Sequence, residues 1–286
     1  MRDVMRRQLI HLPHNTTIDI GINTLVKYKT NAALTTDQQG RPTGVVSKTD
    51  IIGAYYAKLP IDSPLDHIMS SPPIFTDIDE SLESALEIMR SKMFHRLYVK
   101  KRETEELIGV LAYPDIVGML YQICHYCEYS KFGQELKKQG SNKISRFEVK
   151  DVMTYSLKTI EKDESLNRVM EELSMNRFSA VLVVDKKGMP CGVISKTDLV
   201  LNYKHGVDPL TKVETIMTYP VRTCEVNNLL EGAIRQMIFA DVQRLFVHRE
   251  SLYNIVGVLS LTDAARIRSG SCHACTGSRI KVRKHD

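Results

Sequence analysis

The feature that most constrains the fold is an internal duplication with a constant offset of 148 residues. A Gly-Val segment with an apolar third residue occurs four times, at Gly44, Gly109, Gly192 and Gly257. A second segment, which ends in methionine, also occurs four times, at Met5, Met69, Met153 and Met217. In both sets the last two members follow the first two by 148 residues. The chain therefore holds four copies of one unit, arranged as a duplicated pair.

Repeat 3 shows the pattern of one unit most clearly. A short extended piece at 157–160 precedes residues 164–178, whose apolar residues recur with the spacing of one helix face. The apolar run 180–184 predicts a buried strand, 185–188 predicts a turn, and a further strand and helix follow from Gly192. The predicted fold class is α/β (α+β), with four β-α-β-β-α repeats. A unit of about 60 residues buries little core alone, so we expect the repeats to pair.

The same helical face is predicted in the other three repeats. Its apolar members are Ile18, Gly21, Ile22 and Leu25 in repeat 1, Leu82, Ala85, Leu86 and Met89 in repeat 2, and Leu230, Ala233, Ile234 and Met237 in repeat 4. The predicted boundaries are 1–60 and 61–122 for repeats 1 and 2, 123–148 for a linker, 149–207 and 208–268 for repeats 3 and 4, and 269–286 for a tail.

Composition excludes several classes of protein. The 286 residues include 43% hydrophobic and 26% charged residues, which is typical of a folded soluble chain. No apolar run approaches the roughly 20 residues of a membrane helix, and no signal peptide is visible, so we expect a cytoplasmic protein without a membrane partner. The net charge of +5 is too balanced to indicate nucleic acid. The basic residues 279–284 are interpreted as a solvated end of the chain.

These segments together resemble the cystathionine β-synthase (CBS) domain family. The resemblance rests on the Asp-Val-Met opening, the amphipathic helix, the apolar strand and the Gly-Val-Ile-Ser-Lys-Thr-Asp segment at 192–198, and it extends over four copies. It implies that repeats 1 and 2 form one tandem (Bateman-type) module and repeats 3 and 4 another, each with two clefts. In many members the clefts bind adenine nucleotides. Two modules in one chain are similar to the γ subunit of AMP-activated kinase.

Polar residues at the start of the second helix predict a nucleotide site. A helix N-terminus carries unsatisfied N–H groups and a partial positive charge, and an aspartate there can accept hydrogen bonds from both ribose hydroxyls. Three repeats have the full Ser-x-Thr-Asp set, namely Ser47, Thr49 and Asp50, then Ser195, Thr197 and Asp198, then Ser260, Thr262 and Asp263. Repeat 2 keeps only Asp115. The alternative is ordinary helix capping, for which the same residue types are preferred.

Arg96 and Arg244 are the candidate phosphate ligands. Both precede a predicted central strand at the 148-residue offset, and in the kinase subunit that the chain resembles a His-Arg pair at this place faces the phosphates. His95 stands beside Arg96 as a further candidate. The sequence aligns Asn31 and Ser179 with the two arginines in repeats 1 and 3. The alternative is a solvated arginine at the start of a strand.

Two cysteine pairs obey the same offset but do not belong to the family pattern. They are Cys124 and Cys127 after repeat 2, and Cys272 and Cys275 after repeat 4. Two such pairs could supply four thiolates to zinc or to an iron–sulfur cluster, with His125 and His273 as alternative ligands. Redox thiols, or no present role, are the alternatives. Cys191 and Cys224 stand alone and are predicted to be packed as small hydrophobic residues.

The sequence predicts a regulatory protein rather than an enzyme. The repeats use nearly the whole length, and no catalytic motif is visible in them. The leading hypothesis is a sensor that binds AMP, ADP or ATP and changes conformation or partner contacts. The alternative is a metal- or redox-responsive interaction protein. The sequence leaves open whether S-adenosylmethionine is the ligand and which protein is regulated. It also leaves open whether a homodimer forms, since four repeats can close a disc within one chain.

Overall fold

Each repeat folds as a three-stranded sheet with helices against it. The structure, a computed structural model, describes residues 2, 4–104, 106–118 and 147–266. In every sheet the short first strand pairs parallel with the central strand. The central strand pairs antiparallel with the last strand. The mixed α/β class and the β-α-β-β-α order are therefore confirmed.

The strands recur at matching places in the four repeats. The first strands are His11–Pro13, Phe75–Asp77, Thr159–Glu161 and Thr223–Glu225. The central strands are Ala32–Thr36, Arg96–Lys100, Ala180–Val184 and Arg244–Arg249. The last strands are Pro42–Ser47, Leu107–Ala112, Pro190–Ser195 and Ser251–Ser260. The central strand of repeat 3 is buried along its whole length, as its continuous apolar run predicts.

A long helix follows each first strand, and a second helix follows each last strand. The long helices are Ile18–Lys27, Leu82–Ser91, Leu166–Met175 and Leu230–Phe239. The second helices include Lys48–Tyr56, Lys196–Lys204 and Leu261–Arg266, and residues 113–118 are helical in repeat 2. The long helix of repeat 3 is shorter than the predicted 164–178. Ser165 stands at its N-cap, and Arg177 adopts a positive φ of 53°, which a helix cannot contain.

The predicted apolar face of each long helix is the buried face. All four predicted residues are buried in repeats 1 and 3. In repeats 2 and 4, Leu82 and Ile234 are only half-buried, while the other three residues of each helix are buried. The 3.6-residue period therefore identified the packed side of every long helix.

The described chain divides into two compact units that cross the boundaries of the duplication. One unit, here called unit A, contains residues 1–8, 74–156 and 223–286, which carry the sheets of repeats 2 and 4. Unit B contains residues 9–73 and 157–222, which carry the sheets of repeats 1 and 3. Each unit has its own hydrophobic core, drawn from both of its repeats. None of the described helices combines the length and the apolar character needed to cross a membrane.

The recurring glycine and methionine are in contact, but not within one predicted repeat. Met5 lies on Gly109 and Met69 lies on Gly44. Met153 and Met217 lie in the same way on Gly257 and Gly192. Within each half of the duplication, the segment that opens one repeat thus packs on the last strand of the other repeat. Backbone hydrogen bonds join the two, for example between Arg6 and Val110 at 2.9 Å in both directions.

Candidate functional site

The serine and aspartate at the start of the second helices form capping boxes. Asp50 Oδ2 accepts hydrogen bonds from the Ser47 backbone N–H at 2.7 Å and from its hydroxyl at 2.6 Å. The matching distances are 2.7 and 2.8 Å for Ser195 to Asp198. They are 2.9 and 2.6 Å for Ser260 to Asp263. The serine hydroxyls accept in return from the aspartate N–H groups. The capping interpretation is therefore confirmed for these residues.

Capping occupies only one oxygen of each carboxylate. Asp50 Oδ1 accepts a 3.4 Å hydrogen bond from the Ser70 hydroxyl. Within the described part of the chain, the second oxygens of Asp198 and Asp263 accept no hydrogen bond. Burial raises the pKa of Asp50, and the hydrogen bonds from Ser47 and Ser70 oppose that rise. Each half-buried carboxylate can therefore accept further donors from a ligand.

The threonines of unit B make a reciprocal contact between its two repeats. The Thr49 hydroxyl accepts a hydrogen bond from Lys196 Nζ at 2.7 Å. The Thr197 hydroxyl accepts one from Lys48 Nζ at 2.9 Å, and Lys48 is only 7% exposed. The two contacts are equivalent under the 148-residue offset. These hydroxyls therefore join repeats 1 and 3, while Thr262 in unit A has no such contact among the described residues.

Repeat 2 differs from the other three at its aspartate. Asp115 Oδ2 accepts from the Ala112 N–H at 2.8 Å, as the other aspartates accept from a serine N–H, but alanine has no hydroxyl to complete the capping box. Asp115 Oδ1 forms a 2.6 Å ion pair with Arg6 Nε, and the aspartate side chain is 9% exposed. Burial raises the pKa of Asp115, while the charge of Arg6 opposes the rise. Both carboxylate oxygens are thus occupied by groups of the protein.

Sequence reasoning did not identify Arg6. Its position, directly after the methionine of the opening segment, is shared by the four residues Arg6, Ser70, Thr154 and Thr218. In repeats 1 and 2 this residue belongs to the segment that lies on the last strand of the adjacent repeat, and its side chain reaches the aspartate there. A comparison of the residue after each methionine across the four copies would have identified this position from the sequence.

Arg96 and Arg244 begin the central strands of unit A. Strand register pairs Arg96 with Ala112 and Arg244 with Ser260. Both guanidiniums are half-buried, and burial lowers the pKa of Arg96 and lowers that of Arg244 to about 10. The hydroxyl of Tyr98 lies beside Arg96, and the carboxylate of Asp263 acts on Arg244. Arginine therefore stands at the start of the strand in both repeats of unit A.

The predicted alignment of these arginines with Asn31 and Ser179 is wrong by one residue. The residues that pair with Ser47 and Ser195 are Ala32 and Ala180, so these alanines occupy the arginine position in repeats 1 and 3. Asn31 and Ser179 instead correspond to the residue before the strand, whose carbonyl accepts the first N–H of the second helix. Register depends on cross-strand hydrogen bonds, which a single sequence does not show.

His95 is exposed, and its ring meets Tyr113 edge-on with centroids 5.8 Å apart. Tyr113, which replaces the lysine found at this place in repeats 1 and 3, is 4% exposed. His95 is therefore held beside the helical segment that carries Asp115.

The four cysteines of the two predicted pairs lie outside the described residues, as do His125 and His273. Among the described residues no group of three or more His, Cys, Asp or Glu side chains is placed to hold a metal ion. The prediction for the unpaired cysteines is confirmed. Cys224 is 3% exposed within the core of unit A, and the half-buried Cys191 packs against the core of unit B.

Comparison with known proteins establishes the family. The CBS domain model matches residues 1–57, 65–121 and 149–205, which is more than half of the chain. The chain therefore belongs to the CBS domain family. Repeat 4 is outside these ranges, but it has the same three-stranded sheet.

Two archaeal proteins resemble the chain over most of its length. Uncharacterized protein MJ1225 of Methanocaldococcus jannaschii is 21% identical over 203 residues, which are 71% of this chain and 69% of that protein. Its crystal structure, regarded as that of an archaeal homolog of g-AMPK, has a TM-score of 0.76 at 18% identity and covers 93% of this chain and 98% of that chain. An uncharacterized conserved protein from Pyrococcus horikoshii has a TM-score of 0.60 at 16% identity with the same coverage. These similarities show a shared fold.

Proposed function

We propose that this chain is a regulatory protein that binds an adenine nucleotide, AMP, ADP or ATP, and changes its conformation or its partner contacts when the nucleotide binds. The observation that carries the proposal is that the carboxylates of Asp198 and Asp263 each use only one of their two oxygens for capping. Each caps its helix through one oxygen, and among the described residues its other oxygen accepts no hydrogen bond. The proposed role is binding, with no catalytic step.

Ribose fits the chemistry of these carboxylates. Two vicinal hydroxyls can donate hydrogen bonds to an ionised carboxylate, and hydrogen bonds to a charged acceptor are about twice as strong as neutral ones. Ser195 and Ser260 already orient the carboxylates by donating to them. The aspartates of repeats 3 and 4 are therefore the first candidates, and Asp50 is the third.

Arg244 and Arg96 are the proposed phosphate ligands. A guanidinium whose pKa is about 10 remains charged at neutral pH, and partial burial strengthens its attraction to an anion. The cost of burying the charge is offset when a phosphate oxygen approaches. Arg244 lies near Asp263 in the same repeat, so a ribose acceptor and a phosphate ligand occur together in repeat 4.

The test separates ribose binding from capping. Asp198→Asn together with Asp263→Asn keeps a side-chain oxygen for the cap but replaces the second oxygen with an N–H donor. We expect calorimetry to show at least a tenfold loss of affinity for AMP, ADP or ATP, with little change in the melting temperature. Asp198→Ala with Asp263→Ala should abolish binding and also remove the caps. Unchanged affinity in both double variants, or no binding by the wild type, would refute the proposal.

A second candidate function rests on the cysteine pairs. Their 148-residue offset includes them in the duplicated unit, which favours a zinc or iron–sulfur site built from four thiolates. Metal analysis and an absorption spectrum of protein purified without chelator test this candidate. Thermal-shift measurements with AMP, ADP, ATP and S-adenosylmethionine test the first. A metal-free, colourless protein whose stability survives Cys→Ser at all four sites would exclude the cysteine site.

A further inference from the structure

Four residues hold the same backbone position relative to the four aspartates. They directly follow the recurring methionines and are Arg6, Ser70, Thr154 and Thr218. Each exchanges two backbone hydrogen bonds of 2.9 Å with a valine of the last strand on which its segment lies, in the same order Val110, Val45, Val258 and Val193. The aspartate always stands five residues after that valine. The backbone therefore places the four residues alike, and they differ only in their side chains.

The side chain of Arg6 binds the aspartate of repeat 2. Its Nε lies 2.6 Å from Oδ1 of Asp115, whose side chain is only 9% exposed. The other oxygen, Oδ2, already accepts a hydrogen bond from the Ala112 N–H at 2.8 Å. A ribose hydroxyl would therefore have to displace a guanidinium from a nearly buried carboxylate. Such a displacement is unfavourable because it separates a buried ion pair.

The shorter side chains engage their aspartates weakly or not at all. The Ser70 hydroxyl donates to Asp50 Oδ1 at 3.4 Å, and a hydroxyl can rotate away from an acceptor or accept a hydrogen bond itself. Within the described part of the chain, Thr154 and Thr218 make no hydrogen bond to the aspartates of repeats 4 and 3. Repeat 2 is therefore the repeat in which a cation of the protein is bound to the aspartate.

We propose that the residue after each methionine decides whether the aspartate near it can bind a ribose, and that Arg6 closes repeat 2 to nucleotides. Serine or threonine at this position permits binding, whereas arginine occupies the carboxylate from within the protein. The chain then has at most three ribose sites, in repeats 1, 3 and 4. The inference rests on the proposed ribose role of the aspartates and adds the residue that selects among the repeats.

An exchange of side chains between repeats tests the inference. Arg6→Ser gives repeat 2 the residue that repeat 1 has in Ser70, and Thr218→Arg places an arginine near Asp198. Equilibrium dialysis of the full chain against AMP measures the number of nucleotides bound per chain. We expect Arg6→Ser to bind one more AMP than the wild type. Thr218→Arg should bind one fewer, because the new guanidinium pairs with the carboxylate.

Matched variants separate the ion pair from other effects of substitution. Arg7→Ser removes the same charge from the exposed next residue and should keep the wild-type number of bound AMP. Thr218→Val removes the hydroxyl without adding a cation and should also keep it. Ala112→Ser completes the serine cap but leaves Arg6 in place, so it should gain no site by itself. Combined with Arg6→Ser, it should gain one.

The results distinguish failure of this inference from failure of the proposed function. If the wild type binds AMP and neither Arg6→Ser, alone or with Ala112→Ser, nor Thr218→Arg changes the number bound, the inference is overturned. A gain in Ala112→Ser alone overturns it as well. If the wild type binds no AMP, the proposed function fails. Binding that then appears only when Arg6 is replaced still supports the inference, and its absence there overturns both.

Discussion

At the scale of single residues, two tyrosines join the repeats of unit B. Tyr55 and Tyr203 stack with ring centroids 4.9 Å apart and planes inclined by 16°. The hydroxyl of Tyr55 donates to the Val207 carbonyl at 2.6 Å, and that of Tyr203 donates to the Leu59 carbonyl at 2.7 Å. Burial raises the pKa of Tyr55 to about 12, and the charge of Asp208 adds to the rise. The pair is therefore neutral and hydrogen-bonded over the ordinary pH range.

This shift predicts a loss of stability at high pH. Between pH 10 and 12 the folded state keeps the Tyr55 proton that the unfolded state releases, so the free energy of unfolding falls as pH rises. The slope from one such group is at most about 1.4 kcal/mol per pH unit. Urea denaturation at pH 9 and pH 11 should show a smaller fall for Tyr55→Phe than for the wild type. Tyr219→Phe, at a tyrosine that is 76% exposed, is the control and should follow the wild type.

At the scale of elements, the contact between glycine and methionine explains why both motifs recur. A Cβ on Gly257 would lie 2.6 Å from the Thr154 carbonyl oxygen, and one on Gly192 would lie 2.6 Å from the Met217 sulfur. Only glycine lets the opening segment approach the last strand this closely. The two motifs that defined the repeat in the sequence are thus the two sides of one contact.

Matched glycine substitutions in repeat 4 test this contact. Gly257→Ala should lower the free energy of unfolding by about 1–3 kcal/mol, because the backbone of Thr154 must move. Gly232→Ala lies in the long helix with no atom within 4 Å of the new Cβ and should stabilise the protein by about 0.5–1 kcal/mol. Chemical denaturation measures both. Equal effects of the two substitutions would contradict the close contact.

At the scale of the whole molecule, the chain enters each compact unit more than once. Residues 1–8, 74–156 and 223–286 build unit A, and the two intervening segments build unit B. The core of unit B combines Ile51 and Ile52 of repeat 1 with Leu199 and Val200 of repeat 3. Each half of the duplication therefore supplies only one of the two repeats in each unit.

A fragment of residues 1–148 should consequently not behave as an independent monomer. It lacks repeat 3, so Ile51, Ile52 and Tyr55 would lose the partners that bury them. A second copy of the fragment offers equivalent helices, and we expect a dimer in size-exclusion chromatography with light scattering. The full chain is the reference for thermal stability. A monomeric fragment that melts at the temperature of the full chain would contradict the mixed cores.

The sequence predicted the elements well because their signals are local. The run of Ala180–Val184 identified a buried strand, and the period of the long helices identified their packed faces. The serine and aspartate before the second helix predicted both a cap and a candidate ribose acceptor from chemistry alone. The register error at Ala32 and Ala180 arose because alignment across a strand depends on hydrogen bonds to its neighbour.

By itself, the sequence determined that the protein has four related α/β repeats, since the repeats follow from a periodic pattern and its offset. The match of the sequence to the family model showed that the chain belongs to the CBS domain family. Only the tertiary structure decided which repeats share a core, and that the opening segment of one repeat packs on the last strand of the other repeat in the same half of the duplication. It also decided that Arg6 forms an ion pair with Asp115. Several of these contacts, such as that between Arg6 and Asp115, join residues more than 100 positions apart. Their energies depend on burial and distance, which no local pattern encodes.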